Sequence, residues 1–134
     1  MKTILVSYGS ALVSMLVIDA IWLTIMLKRF YVPAIGSLMA SSPNIVAAGI
    51  FYLIYIAGVC ALVVVPAVGN QTPLVKVFIL GAILGLVAYA TYDLTNQATL
   101  KEWSTIVTAV DLVWGTLLTG TVAVIATYCA RLFS

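Results

Sequence analysis

The chain has 134 residues, 64% of them hydrophobic and 7% charged, with a formal net charge of +2. Soluble domains carry about 25% charged and about 45–50% apolar residues, so a chain with a mean hydropathy of +1.23 has too little polar surface to coat a soluble globule. The scattered basic residues argue against a nucleic-acid face, and the absence of histidine excludes imidazole acid–base catalysis, Ser-His-Asp triads and His-ligated haem, zinc or di-iron centres.

A bilayer core of about 30 Å takes about 20 apolar residues as helix. The first such run, residues 4–27, stops at Lys28-Arg29. It is too long for a signal peptide and lacks a small-residue cleavage site, so it reads as a retained span. Residues 28–44 hold two prolines and the aromatic pair Phe30-Tyr31, and suit a segment lying along the interface. The second run, 45–65, is opened by Ser42-Pro43 as N-cap and first helical residue and closed by Pro66. After a turn-like stretch at 66–73, a third run covers 74–94. In the next connection Thr99-x-x-Glu102 has the form of a capping box that starts the last helix near Leu100, and Trp103 reads as an interfacial anchor. The fourth run covers about 105–128. The expectation is an all-α, polytopic four-helix membrane bundle forming one domain over 1–134. Lys2, Lys76 and Arg131 then lie on one side and Lys28, Arg29 and Lys101 on the other, so the flanking charges set no orientation.

The acids carry the information. Only Glu102 sits where an interfacial charge belongs; Asp19, Asp93 and Asp111 fall within or at the edge of apolar runs. An Asp at the centre of a membrane helix costs roughly 2.5–3.5 kcal/mol on insertion scales, so such residues usually face the bundle interior. Asp19 lies nine residues before Lys28, about 13 Å along a helix, and Asp111 ten residues after Lys101, about 15 Å. Asp93 ends the third run on the same side. All three therefore share one half of the bilayer. Asp19 and Trp22 are i,i+3 neighbours, as are Asp111 and Trp114, and VIDAIWLT (17–24) and AVDLVWGT (109–116) share the pattern D-x-x-W-x-T. Tyr89 precedes Asp93 by four residues and Asn96 follows it by three. The construction that follows is a pocket of Asp19, Asp93, Asn96 and Asp111 walled by Trp22, Trp114 and Tyr89. The bland alternative is hydrogen-bonding glue between helices, at about 0.6 kcal/mol per contact. Three acids without an intramembrane Lys or Arg cannot all stay ionised in a low dielectric, so at least one carries a proton or meets a cation.

The remaining features read as packing. Gly81-x-x-x-Gly85 and Ala57-x-x-x-Ala61 allow close helix approach, and the glycine pair is also a candidate homodimer contact. The threonines of the last run return hydrogen bonds to their own helix unless they face the acids. Cys60 and Cys129, single residues in apolar runs, read as inert, and the sequence calls for no cofactor and no metal site.

At YATYDLTNQATLKEW (89–103), with D-x-x-W on the first and last helices, the chain resembles a family of small four-helix bacterial inner-membrane proteins classed as a domain of unknown function. The resemblance covers essentially the whole chain, is most specific over Tyr92 to Leu100, and implies a multi-pass protein of the bacterial inner membrane. It adds weight to Asp93 and Asn96. Small multidrug exporters also have four helices and a first-helix acid, but theirs is a glutamate, and they lack counterparts of Asp93 and Asp111.

Three functions are compatible with the sequence. The first is binding of a lipophilic or cationic small molecule, or of a membrane lipid, at the acid–aromatic cluster. The second is proton-coupled export of a small molecule. The third is a membrane-embedded lipid-modifying enzyme or its accessory subunit; Tyr92-Asp93 is similar to the YD half of the intramembrane aspartyl protease signature, yet Asp111 follows Val110 and has no GxGD.

Overall fold

The computed structural model describes residues 1–134 as four helices and no strands: α1 (Lys2–Leu38), α2 (Ile45–Gly69), α3 (Leu74–Thr99) and α4 (Thr105–Phe133). Each is long and apolar enough to cross a membrane, and together they form a four-helix membrane bundle.

The first two helices run past the ends that their charges and prolines suggest, for the same reason. A wide turn at Leu27–Tyr31, in which the Val32 N–H donates to the carbonyl of Leu27 five residues back, precedes Pro33. Another at Cys60–Val64, closed by the Val65 N–H on the Cys60 carbonyl, precedes Pro66. A proline lacks the donor for the ordinary bond four residues back, and its ring crowds that carbonyl. Widening the turn just before the ring turns the carbonyl aside and lets the helix continue. Lys28 and Arg29 therefore lie inside α1 rather than ending it, and Pro66 lies inside α2 rather than closing it.

The caps also differ from expectation. Asn44, not Ser42, caps α2 by accepting from the Ala47 N–H at 3.0 Å. Thr99 still belongs to α3, where its Oγ1 donates to the Thr95 carbonyl at 2.8 Å, so it cannot cap the next helix. That role falls to Ser104, which accepts from the Val107 N–H at 3.3 Å.

α4 is the hub, with twelve buried residues against four on α1 and four on α3. On α1 the buried stripe is Ser7, Ala11, Met15 and Asp19; on α3 it is Val77, Gly81, Gly85 and Asp93. The period of four gives each helix a narrow inward seam. Both seams end in an acid.

The α3–α4 seam is built from small residues. A methyl group at Gly81 would stand 2.8 Å from the Ala123 Cβ and 2.9 Å from the Thr119 carbonyl, and one at Gly85 would strike the carbonyl of Gly115. Gly81 and Gly85 are thus consumed inside the bundle, which corrects their reading as a homodimer contact. Ala57 and Ala61 do not make a helix seam, because both are exposed on the lipid-facing side of α2.

α2 packs mainly through its second half, where Val59, Cys60, Val63, Val64 and Ala67 are buried. Arg131 of α4 fastens that end, donating to the carbonyls of Ala67 at 3.0 Å and Thr72 at 2.6 Å. In the first half only Tyr52, Tyr55 and Ile56 reach inward, and residues 45–50 are exposed all round.

Candidate functional site

α1 and α4 run antiparallel, so two D-x-x-W segments at equal depth face each other head to tail. Their tryptophans meet: the rings of Trp22 and Trp114 stack with centroids 4.1 Å apart and planes 10° from parallel. Each ring then serves the acid of the opposite helix. The Trp114 Nε1–H donates to Asp19 Oδ1 at 3.2 Å. The Trp22 Nε1–H donates to the Tyr31 hydroxyl at 3.1 Å, and that hydroxyl donates to Asp111 Oδ1 at 2.5 Å. The second oxygen of Asp19 accepts from the Tyr52 hydroxyl at 2.5 Å. Asp19 and Asp111 are buried, yet both have donors.

Asp93 differs. It is fully buried, and neither carboxyl oxygen has a hydrogen-bond partner. Its ionisable neighbour is Asp111, with which it interacts without a well-formed hydrogen bond. Two carboxyls side by side away from water repel one another when both are charged.

Tyr89 joins the cluster. Its ring covers Gly115, leaving no room there for a Cβ, and it lies within electrostatic reach of both Asp19 and Asp111. Asn96 does not join in the expected way: it is half-buried and makes no hydrogen bond to any of the three acids. Trp103 folds back on its own end of the bundle, donating to the Thr108 hydroxyl at 2.9 Å and meeting Tyr92 edge-on at 5.9 Å. No group of three acids or cysteines converges as a metal-ligand set.

Two tyrosines that complete the cluster are not among the residues expected from the sequence. Tyr52 starts a few turns inside α2, eight residues or about 12 Å from its cap Asn44. That depth matches the 13 Å of Asp19 from Lys28, so the same comparison that aligned the acids could have found it. Tyr31 is harder to see. In a regular helix a residue nine positions after Trp22 sits on the opposite face, but the wide turn at Leu27–Tyr31 absorbs one residue and swings Tyr31 back to within about 80°. A third pair, Tyr55 and Thr119, lies at 2.7 Å and ties α2 to α4 just below the acids.

No curated protein and no solved structure matches the chain. A family model described as "Predicted membrane protein (DUF2177)" matches residues 4–128, nearly the full span of the four helices that carry the acids. With that match over almost its whole length, the chain belongs to the DUF2177 family of membrane proteins.

Proposed function

We propose that this protein binds a lipophilic or cationic small molecule, or a membrane lipid, at the cluster of Asp19, Asp93, Asp111, Trp22, Trp114 and Tyr89, in the bacterial inner membrane. The observation that carries the reading is Asp93, a fully buried carboxyl with two unpartnered oxygens. A buried polar group left unsatisfied costs about 1–3 kcal/mol, more when charged, so one kept in a membrane bundle is explained by a ligand that supplies the missing donor. Asp19 and Asp111, which have their own donors, shape the site and give it its sign of charge. The stacked tryptophans hold α1 and α4 in register.

Native mass spectrometry of the protein released from a mild detergent tests this directly, comparing wild type with Asp93→Asn and Asp111→Asn. A bound species carried by the wild type and missing from the Asp93→Asn spectrum is the expected result, and the same spectra count the subunits. Identical, empty spectra would leave the acids as helix glue.

The adjacency of Asp93 and Asp111 also favours a second reading, in which the pair exchanges a proton for a substrate and drives export. In proteoliposomes Asp93→Asn then abolishes substrate movement driven by a pH gradient. Full transport by that variant would eliminate the exporter.

A further inference from the structure

The first half of α2 leans away from α3, and the gap between them is an aromatic groove of about 390 Å³ lined by Phe51, Tyr55, Ala88, Tyr89 and Tyr92. Its walls are nearly all apolar, and it opens where Phe51 and Tyr92 are 46% and 59% exposed. In a four-helix membrane bundle that opening faces lipid, not water. The volume falls within the range of ligand pockets, about 300–1,000 Å³. The groove is also at the depth of the acids. Tyr89 and Tyr92 precede Asp93 by four residues and by one, and Tyr89 is a shared wall: it lines the groove, and its ring packs on Gly115 of α4, one turn from Asp111.

The charge around this wall has one sign. Asp19, Asp93 and Asp111 are buried in this half of the bundle, whereas Lys28, Arg29 and Lys101 are exposed, and no basic side chain makes an ion pair or hydrogen bond with the three acids. Aromatic ring faces attract organic cations, most strongly when water is excluded. An apolar trough lined by tyrosines, beside buried carboxyls with no basic partner, is complementary to a molecule with a long hydrocarbon body and a positive head.

We propose that the α2–α3 groove is a side entrance from the bilayer whose occupant is a long-chain organic ammonium. Its hydrocarbon lies along Phe51 and Tyr92, and its ammonium rests on Tyr89 in the field of the acids. This rests on the binding function proposed above and narrows it to a chemical class and a route: the ligand arrives sideways from the membrane, and an uncharged lipid of the same length does not suffice.

The test uses the full chain in phosphatidylcholine nanodiscs, with dodecylamine as probe and dodecanol as its uncharged equivalent, both read by native mass spectrometry over a concentration series. Wild type is expected to hold one dodecylamine at least tenfold more tightly than dodecanol. Ala88→Leu, which narrows the groove without touching an acid, weakens dodecylamine binding several-fold, and Ala88→Trp removes it. Phe51→Ala, which deletes a wall at an exposed position, gives a loss of the same order and stands in if the Trp variant does not fold. Equal binding of the two probes, failure of dodecylamine to bind, or tight binding that survives in Ala88→Trp each overturns the entrance and its cationic occupant. If Asp93→Asn still releases the species carried by the purified wild type, the broader binding function survives that result; if it does not, both fall.

Discussion

Replacing Asp93 should make the ligand-free protein more stable, whereas the same replacement at Asp19 should make it less so. Thr is close to Asp in size, and in a helix its hydroxyl can bond the carbonyl four residues back, as Thr91, Thr99 and Thr116 do here at 2.7, 2.8 and 2.6 Å. Asp93→Thr therefore removes two orphaned oxygens without opening a cavity, and the relief is about 1–3 kcal/mol, the penalty for a buried unsatisfied polar group. Asp19→Thr strips the acceptor from Tyr52 and from Trp114, and two bonds at about 0.5–1.5 kcal/mol each leave a loss of roughly 1–3 kcal/mol. Reversible unfolding in mixed micelles, followed by helical circular dichroism, measures both. The expected pattern is opposite signs, separated by at least a tenfold ratio in the unfolding constant, since about 1.4 kcal/mol is tenfold. A destabilisation by Asp93→Thr comparable to that of Asp19→Thr would refute the reasoning, because it would mean that Asp93 has a structural partner in the resting protein.

Other consequences follow from the packing. Gly85→Ala drives a methyl group into the Gly115 carbonyl and should destabilise the bundle by about 1–3 kcal/mol, whereas Gly9→Ala and Gly58→Ala enter open space and should stabilise it by up to about 1 kcal/mol in the same unfolding assay. The stacked Trp22–Trp114 pair should give an exciton couplet in the circular dichroism spectrum that either Trp→Phe substitution removes and that Trp103→Phe leaves intact. Asn44→Ala and Ser104→Ala should each cost about 1 kcal/mol of stability, while Ser42→Ala and Thr99→Ala change little, since the latter two do not cap a helix.

The depth of the acids was legible because it depends only on counting residues from flanking charges, and the D-x-x-W pairs because i,i+3 spacing is preserved in any regular helix. The crossed pairing of those motifs was not, since it depends on which face of α1 meets α4. Tyr31 was hidden by a local departure from helical phase: the turn before Pro33 adds one residue, and periodicity read along the sequence has no way to register the insertion. Asn96 shares the last turns of α3 with Asp93, but i,i+3 spacing places two residues near one face without making a bond between them, and none forms here. The helix ends differ because a charge ends an apolar run without ending a helix, and a proline is tolerated inside one once the turn before it widens. The glycines of α3 were correctly placed in a tight contact, but whether the partner helix belongs to the same chain is a question of topology that spacing leaves open.

The hub helix has a consequence for biosynthesis. α4, which buries more residues than any other helix, is the last of the four to leave the ribosome, and Trp114 is translated 95 residues after Asp19. At about 5–20 residues per second, Asp19 sits in the nascent membrane segment for several seconds before its indole partner exists. Tyr52 comes much sooner, only 33 residues behind. The Tyr52–Asp19 bond can therefore form as an early α1–α2 hairpin and shield the carboxyl from lipid during insertion. On that view the tyrosine works as an internal escort, and its loss should reduce the yield of inserted protein more than it reduces the stability of what is made.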